Sequence, residues 1–218
     1  MKYFLQSFAF TFFMYFGLWI MWVHFAIDIG LDTEYPGSLV YLPHAARVIC
    51  TCIFGWYAIP AMVAADFIGI SFFVHGNTDF LLSGNFSYEE LINSTVANSS
   101  VFLSLVLLKL SGFSFNYEHG SLLLRKSNYQ HIFLITVLSA FINGLFGNFI
   151  RQGISNYDIH MFTVLRFTVG DILGTLVVLI ICTTMLSAYK DKYNKSNKDY
   201  RCNEFISFSN TSIRFRYR

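Results

Sequence analysis

Two charged residues, Arg166 and Asp171, lie inside an apolar stretch that runs from about residue 161 to residue 186. An ionisable side chain in a membrane-spanning helix is costly, and it normally faces a bundle interior or a water-filled cavity where it binds protons, ions or ligands. On an ideal helix these two side chains point about 140° apart. They do not neutralise each other, so each requires a partner from another helix or from a ligand.

Two more charged residues, Arg47 and Asp66, occur in apolar segments nearer the N-terminus. His44, Arg47 and Thr51 recur at three- and four-residue spacing and therefore share one face of a helix. Asp66 is flanked by small residues, which allow helices to approach closely. We predict a polar cluster in the outer half of a membrane that binds a small-molecule ligand. Its members are His44, Arg47, Asp66, Arg166 and Asp171.

The same residues admit a purely structural interpretation. Arg47 with Asp171 and Asp66 with Arg166 are the simplest pairings, and if both form the cluster has no need of a ligand. Arg47 could also extend its guanidinium to the lipid headgroups. The sequence leaves these alternatives open.

Small and polar residues in the later apolar stretches predict close contacts between helices. Gly170 and Gly174 form a small-xxx-small face, which is typical of tightly packed membrane helices. Asn143 and Asn148 are explained by hydrogen bonds from helix to helix.

No motif for covalent or metal chemistry occurs in the sequence. It contains no nucleophile elbow, P-loop, HExxH or dinucleotide-binding pattern. The 4 cysteines and 6 histidines lack the close spacing of metal ligands. A net charge of +2 is too small to indicate nucleic acid as a partner. We therefore expect a protein that is not an enzyme and has no cofactor and no metal.

Composition indicates a membrane protein. The chain is 55% hydrophobic and only 13% charged, whereas a soluble domain is about one quarter charged. The 25 phenylalanines among 218 residues add to an apolar surface that a soluble fold could not hide from water. We therefore expect the chain to lie in a lipid bilayer, as a multi-pass protein of the cell membrane.

Segment lengths predict an all-α polytopic bundle of about six transmembrane helices, since one crossing takes about 20 residues. The predicted spans are about 4–26, 41–55, 57–74, 89–110, 128–150 and 158–187. The second and third are short and meet at Phe54-Gly55-Trp56, and the sequence leaves open whether they cross fully or form a re-entrant hairpin. Residues 1–187 would be the membrane-embedded domain, and 188–218 a basic cytoplasmic tail.

Basic residues in the loops predict the orientation of the chain. One side would carry Lys2, Lys109, Arg125, Lys126 and the basic tail, while the opposite loops contain Asp28, Asp32, Glu34 and Asp79. Six spans with both termini in the cytoplasm satisfy this charge bias at every loop.

Two stretches resemble the MASE1 type of membrane-embedded bacterial sensor domain. Residues 42–48 (LPHAARV) and 54–60 (FGWYAIP) are similar to that family's Pro-started short helix, Gly-aromatic turn and second short helix. Residues 165–174 (LRFTVGDILG) are similar to its Gly-Asp-x-x-Gly segment in a late helix. The resemblance covers about a fifth of the chain. It implies a sensory module of the bacterial inner membrane. We expect fewer spans than that family has and no output domain on this chain.

The Gly-Asp-x-x-Gly segment and the six-span layout also look like the substrate-capture subunits of energy-coupling-factor vitamin transporters. The sensor resemblance implies a separate cytoplasmic signalling partner, and the transporter resemblance implies an ATPase partner. The expected function is therefore a sensory, ligand-binding membrane module, with a small-molecule uptake subunit as the alternative.

Overall fold

A computed structural model describes residues 2–24, 38–69, 88–113, 126–155 and 161–213. Within these ranges the chain is helical apart from short connections. The helices are α1 (Lys2–Trp22), α2 (Pro43–Phe54), a 3-10 turn (Gly55–Ala58), α3 (Ile59–Gly69), α4 (Tyr88–Leu110), α5 (Lys126–Ser155) and α6 (Met161–Ile213). The acidic loop residues used to predict the orientation, Asp28, Asp32, Glu34 and Asp79, lie outside the described residues, as do Arg125 and the predicted end of the third span at 70–74.

The chain divides into two compact units, Met1–Val178 and Leu179–Arg218. All contacts that build the candidate site lie in the first unit. In the second unit the chain is helical up to Ile213, with large exposed apolar side chains such as Ile180 and Met185.

Five helical stretches are long and apolar enough to cross a membrane, by length and composition. They are Lys2–Trp22, Pro43–Gly69, Tyr88–Leu110, Gln130–Ile150 and Met161–Lys190. The predicted all-helical fold is confirmed, and several such helices make a multi-pass membrane protein plausible. This count takes Pro43–Gly69 as a single stretch.

The two halves of Pro43–Gly69 run in opposite directions. Arg47 and Asp66 are 19 residues apart, which on a continuous helix is about 28 Å. Yet both bind one hydroxyl: Nη2 of Arg47 is 2.9 Å from Tyr15 Oη, and that oxygen is 2.8 Å from Oδ1 of Asp66. Only a reversal of the chain brings them together, and Gly55 supplies it with a φ of 62°, a value that costs a glycine little.

The hairpin formed by α2 and α3 covers the same depth as α1. At one end Tyr57 packs edge-on against Tyr3, and at the other Tyr41 packs edge-on against Trp22. Helix α3 returns until Gly69 lies against Trp19. The 21 residues of α1 span about 31 Å, close to the ~30 Å thickness of a hydrocarbon core.

The interior of the first unit contains polar side chains beside apolar ones, while many large apolar side chains face outward. Ser7, Thr11 and Tyr15 are fully buried on α1, where they follow each other at four-residue spacing. Phe13, on the opposite face, is 71% exposed. Many exposed large apolar side chains, together with buried polar ones, suit a fold surrounded by lipid.

Candidate functional site: a buried polar cluster centred on helix α2

Arg47 lies at the centre of the buried polar cluster, with only 4% of its surface exposed. It belongs to the second turn of α2, which starts with Pro43, a residue that needs no hydrogen bond for its own backbone nitrogen. Its Nε donates to Oδ1 of Asn98 on α4 at 2.8 Å. Its Nη2 donates to Tyr15 at 2.9 Å and more weakly to the hydroxyl of Tyr41 at 3.4 Å.

Asp66 on α3 balances this charge without touching it. The hydroxyl of Tyr15 donates to Oδ1 at 2.8 Å, and Asn98 Nδ2 donates to Oδ2 at 2.8 Å. Ser94 donates to Oδ2 as well, at 2.7 Å. Tyr15 and Asn98 each accept from the arginine and donate to the aspartate, so two neutral side chains separate the opposite charges.

Helices α1, α2, α3 and α4 all contribute to this Arg47–Asp66 network, which consists of Tyr15, Arg47, Asp66, Ser94 and Asn98. The guanidinium carbon also lies 5.6 Å from the ring centre of Tyr15 and 5.2 Å from that of Tyr41, within the range of cation–π attraction. The Asp66 side chain accepts hydrogen bonds from three neutral donors, Tyr15, Ser94 and Asn98.

His44 and Asp171 form a second contact, between α2 and α6. Nδ1 of His44 is 3.4 Å from Oδ2 of Asp171, close enough for attraction between charges but without the geometry of a hydrogen bond. Both residues are buried, and Oδ2 also receives a hydrogen bond from Asn143 at 2.6 Å.

The hydrogen bonds around His44 limit where its proton can be. The hydroxyl of Ser139 donates its single proton to the carbonyl of Thr136. In its contact of 3.0 Å with His44 Nε2 the same oxygen must therefore be the acceptor, so Nε2 carries the proton of that hydrogen bond. Nδ1 and the carboxyl group of Asp171 then attract each other only when one of the two carries a further proton, because two facing lone pairs repel.

The segment Ser38–Tyr41, here called the strap, joins the site to α6. The backbone nitrogen of Tyr41 donates to the carbonyl of Gly170 at 2.9 Å. A Cβ at Gly170 would overlap the carbonyl oxygen of Ser38, and one at Gly174 would overlap that of Tyr41. Trp22 holds the other end of the strap through a bond of 2.9 Å from Nε1 to Ser38 Oγ.

The small-xxx-small face of α6 therefore receives non-helical backbone, and not a helix as the sequence suggested. Inside a membrane, the polar groups of non-helical backbone must be hydrogen-bonded within the protein. In the strap, the backbone nitrogen of Tyr41 is satisfied by the carbonyl of Gly170. Close helix packing occurs instead at Gly144 of α5, where a Cβ would overlap Thr168.

Four of the five predicted site residues are buried: His44, Arg47, Asp66 and Asp171. The structural alternative would pair Arg47 with Asp171 and Asp66 with Arg166, and the contacts that the structure shows for the described residues are different ones. Arg47 contacts Asn98 and two tyrosines, and Asp171 contacts His44 and Asn143. Asp66 accepts from neutral donors, and the half-buried Arg166 on α6 is not among them.

Sequence reasoning missed the neutral members of the site. They are Tyr15, Tyr41, Ser94, Asn98, Ser139 and the strap. A signal for two of them existed, since Ser94 and Asn98 occur four residues apart in an apolar helix and so share a face. On α1 the regular spacing of Ser7, Thr11 and Tyr15 pointed to the face that carries the tyrosine.

The site has hydrogen-bond donors, a guanidinium and two carboxyl groups, but no activated nucleophile. Within the described ranges, no group of three or more His, Cys, Asp and Glu side chains could hold a metal ion. What the arrangement can do is exchange hydrogen-bond partners between helices.

Comparison with protein-family models, curated proteins and solved structures gives no match for this chain.

Proposed function

We propose that the chain is a multi-pass protein of the cell membrane with six crossing segments and both termini in the cytoplasm. The support for six is the α2–α3 hairpin, whose arms each follow α1 over most of its length. Lys2, Lys109 and Lys126 then lie on one side, as the positive-inside rule requires.

A labelling experiment distinguishes six crossings from five. Trp56 lies in the hairpin turn and is 53% exposed. In a cysteine-free background, Trp56→Cys should react with a membrane-impermeant maleimide from the cytoplasmic side only. With five crossings, residue 56 would lie near the membrane centre and react from neither side.

We propose further that the protein is a non-enzymatic sensory module that binds a small molecule at the buried polar cluster, in the manner of the MASE1-like sensors. The observation that carries this proposal is the position of α6. This helix supplies Asp171 to the site, its two glycines lie against the strap, and it continues through most of the basic tail to Ile213.

The mechanism is binding without chemistry. A ligand that takes hydrogen bonds from Arg47 or His44 competes with their present partners, so it changes the relative stability of arrangements in which the strap is docked on α6 or released. A ligand shifts such an equilibrium only through its different affinity for the two states. The change would be passed along α6 to a separate cytoplasmic partner.

Affinity purification from native membranes tests this function. A tagged chain extracted in mild detergent should bring down a kinase or a cyclic-dinucleotide enzyme, identified by mass spectrometry. Lys190→Gln with Lys192→Gln should weaken the capture, while Lys109→Gln, an exposed lysine on α4, should not. Capture of an ATPase with a coupling membrane subunit would replace the sensory role by uptake.

A further inference from the structure

The His44–Asp171 contact brings a base and an acid together in the interior of the bundle. Their side chains are 0% and 1% exposed, and Nδ1 of His44 lies 3.4 Å from Oδ2 of Asp171. Within the part of the chain that the structure describes, Nδ1 has no hydrogen-bond partner. The other ring nitrogen already donates to Ser139. Nδ1 and the carboxyl group are therefore the positions at which this pair can gain or lose a proton.

The charges around the pair indicate that it holds one proton. The next charge along α2 is Arg47, three positions on, and Asp66 balances it through two neutral side chains. A neutral His44 beside a charged Asp171 would add a buried negative charge without a counter-charge, which is costly inside a membrane. One proton, on Nδ1 or on the carboxyl group, makes the pair neutral overall and replaces a repulsion by an attraction.

Other titratable groups near α2 leave this balance unchanged. On α6, Arg166 points about 140° away from Asp171. The acids of α4 and the histidine of α5 are eight or more positions from Asn98 and Ser139, about 12 Å along the axis. Tyrosines are ordinarily neutral below about pH 10. The groups on the neighbouring elements are Tyr15 on α1, His24 just after α1, Tyr41 in the strap, Asp66 on α3, Glu89 and Glu90 on α4, and His131 on α5.

The backbone of Tyr41 joins the same two segments as the pair does. Its nitrogen donates to the carbonyl of Gly170 at 2.9 Å, and its oxygen accepts from the backbone nitrogen of His44 at 3.3 Å. Gly170 directly precedes Asp171 in the sequence. The strap and the side-chain pair are thus two links between the start of α2 and one turn of α6. When the pair loses its attraction, fewer contacts hold the strap on α6.

We propose that the His44–Asp171 pair binds one exchangeable proton and that loss of this proton releases the strap from α6. The docked arrangement holds the proton, whereas a separated, hydrated histidine loses its proton near pH 6.5. Above that pH the docked arrangement binds more protons than the released one, so docking weakens as the pH rises. In the proposed orientation the strap lies on the outer side of the membrane, so the pair responds to external pH. Only this last statement rests on the proposed function.

Cysteine labelling of the strap in the purified full chain tests the proton site in a cysteine-free background. Ser38 is 7% exposed and Leu39 is 43% exposed. Ser38→Cys reports release of the strap, and Leu39→Cys, accessible in both arrangements, corrects for the pH dependence of a thiol. We expect the ratio of their reaction rates with iodoacetamide to rise about three- to fifteenfold between about pH 6 and pH 9. A ratio that does not change with pH would overturn the proposal without any variant of the pair.

Two variants separate the pair from other titrating groups. Asp171→Asn can donate to Nδ1 without binding a proton, so the strap should stay docked and the ratio should be the same at each pH. His24→Gln removes an exposed histidine just after α1 and should respond to pH as the wild type does. If Asp171→Asn keeps the wild-type response, or if His24→Gln abolishes it, the proton binds elsewhere and the proposal is wrong.

The outcome is separable from that of the sensory role. A chain whose strap responds to pH through the pair but that captures no signalling enzyme loses only the sensory function. A chain that captures such an enzyme but whose strap ignores pH loses only the proton site.

Discussion

The Arg47–Asp66 network and the His44–Asp171 contact are both buried combinations of an acid and a base, yet they are held in different ways. In the network, two neutral side chains connect the charges, and the bonds that Arg47 makes to Tyr15 and Asn98 and those that Asp66 accepts are 2.7–2.9 Å long. The His44–Asp171 contact is longer, at 3.4 Å, and is not a hydrogen bond. The network is therefore the more strongly bonded of the two regions.

The two regions also differ in what they connect. The network joins the first four helices, α1 to α4, to one another. The second contact and the strap join that group to α6. The proposed sensory function requires a stable part and a part that can change its contacts, and under that proposal the network would be the first and the second contact with the strap the other.

The largest expected effect is at Asp66. Asp66→Ala leaves a buried guanidinium uncompensated and three donors without an acceptor, which should lower the free energy of unfolding by about 3–5 kcal/mol. Reversible unfolding in mixed detergent micelles measures it, with Glu89→Gln, an exposed acid on α4, as the control. A loss no larger than the control's would mean that the network does not hold the helices together.

A double-mutant cycle sharpens the same point. Asp66→Ala with Arg47→Ala removes both charges, so the double variant should be more stable than the sum of the single losses predicts, by about 2–3 kcal/mol. Strict additivity would show that the two charges act independently.

Gly170→Ala comes next. Its Cβ would meet the carbonyl of Ser38, and displacing the strap should cost about 1–3 kcal/mol. In Gly17→Ala the new Cβ has open space, and this change should slightly stabilise α1. If both variants unfold alike, the strap is not docked on α6 as described.

The His44–Asp171 contact should show a smaller coupling than the network. In a cycle of His44→Ala and Asp171→Ala we expect about 0.6–1.7 kcal/mol, the range found for hydrogen bonds between membrane helices. Asp171→Asn should retain most of the stability, since its amide can donate to Nδ1 without a shared proton. A coupling equal to that of Arg47 and Asp66 would remove the contrast between the two regions.

The smallest effect is expected on the outward-facing surface of the bundle. Phe13 is 71% exposed on α1, and Phe13→Leu should change the free energy of unfolding by less than about 0.5 kcal/mol. A larger loss, measured in the same micelles, would mean that this face packs against protein and not against lipid.

Charge and hydropathy were sufficient to predict the helical fold, the hairpin position at Gly55 and the burial of four ionisable residues. They could not predict partners, because a buried arginine is satisfied as well by a tyrosine and an asparagine as by a carboxylate. Arg166 illustrates the limit. It has the same sequence signature as Arg47, but its position on α6 leaves it half-buried.

The strap was also beyond prediction, for a different reason. The spacing of Gly170 and Gly174 indicates that something approaches α6 closely, and a second helix is the commonest occupant. That Ser38–Tyr41 takes this place depends on the direction in which the chain enters α2, which local sequence does not specify.

Because the chain is made from its N-terminus, the Arg47–Asp66 network can form earlier during synthesis than the His44–Asp171 contact. Every member of the Arg47–Asp66 network has been made once Asn98 leaves the ribosome, whereas His44 waits for Asp171, 73 positions later. At about 5–20 residues per second this delay is roughly 4–15 s. The first four helices can therefore close their network while the rest of the chain is still being inserted, and α6 is added to a partner that already has its shape.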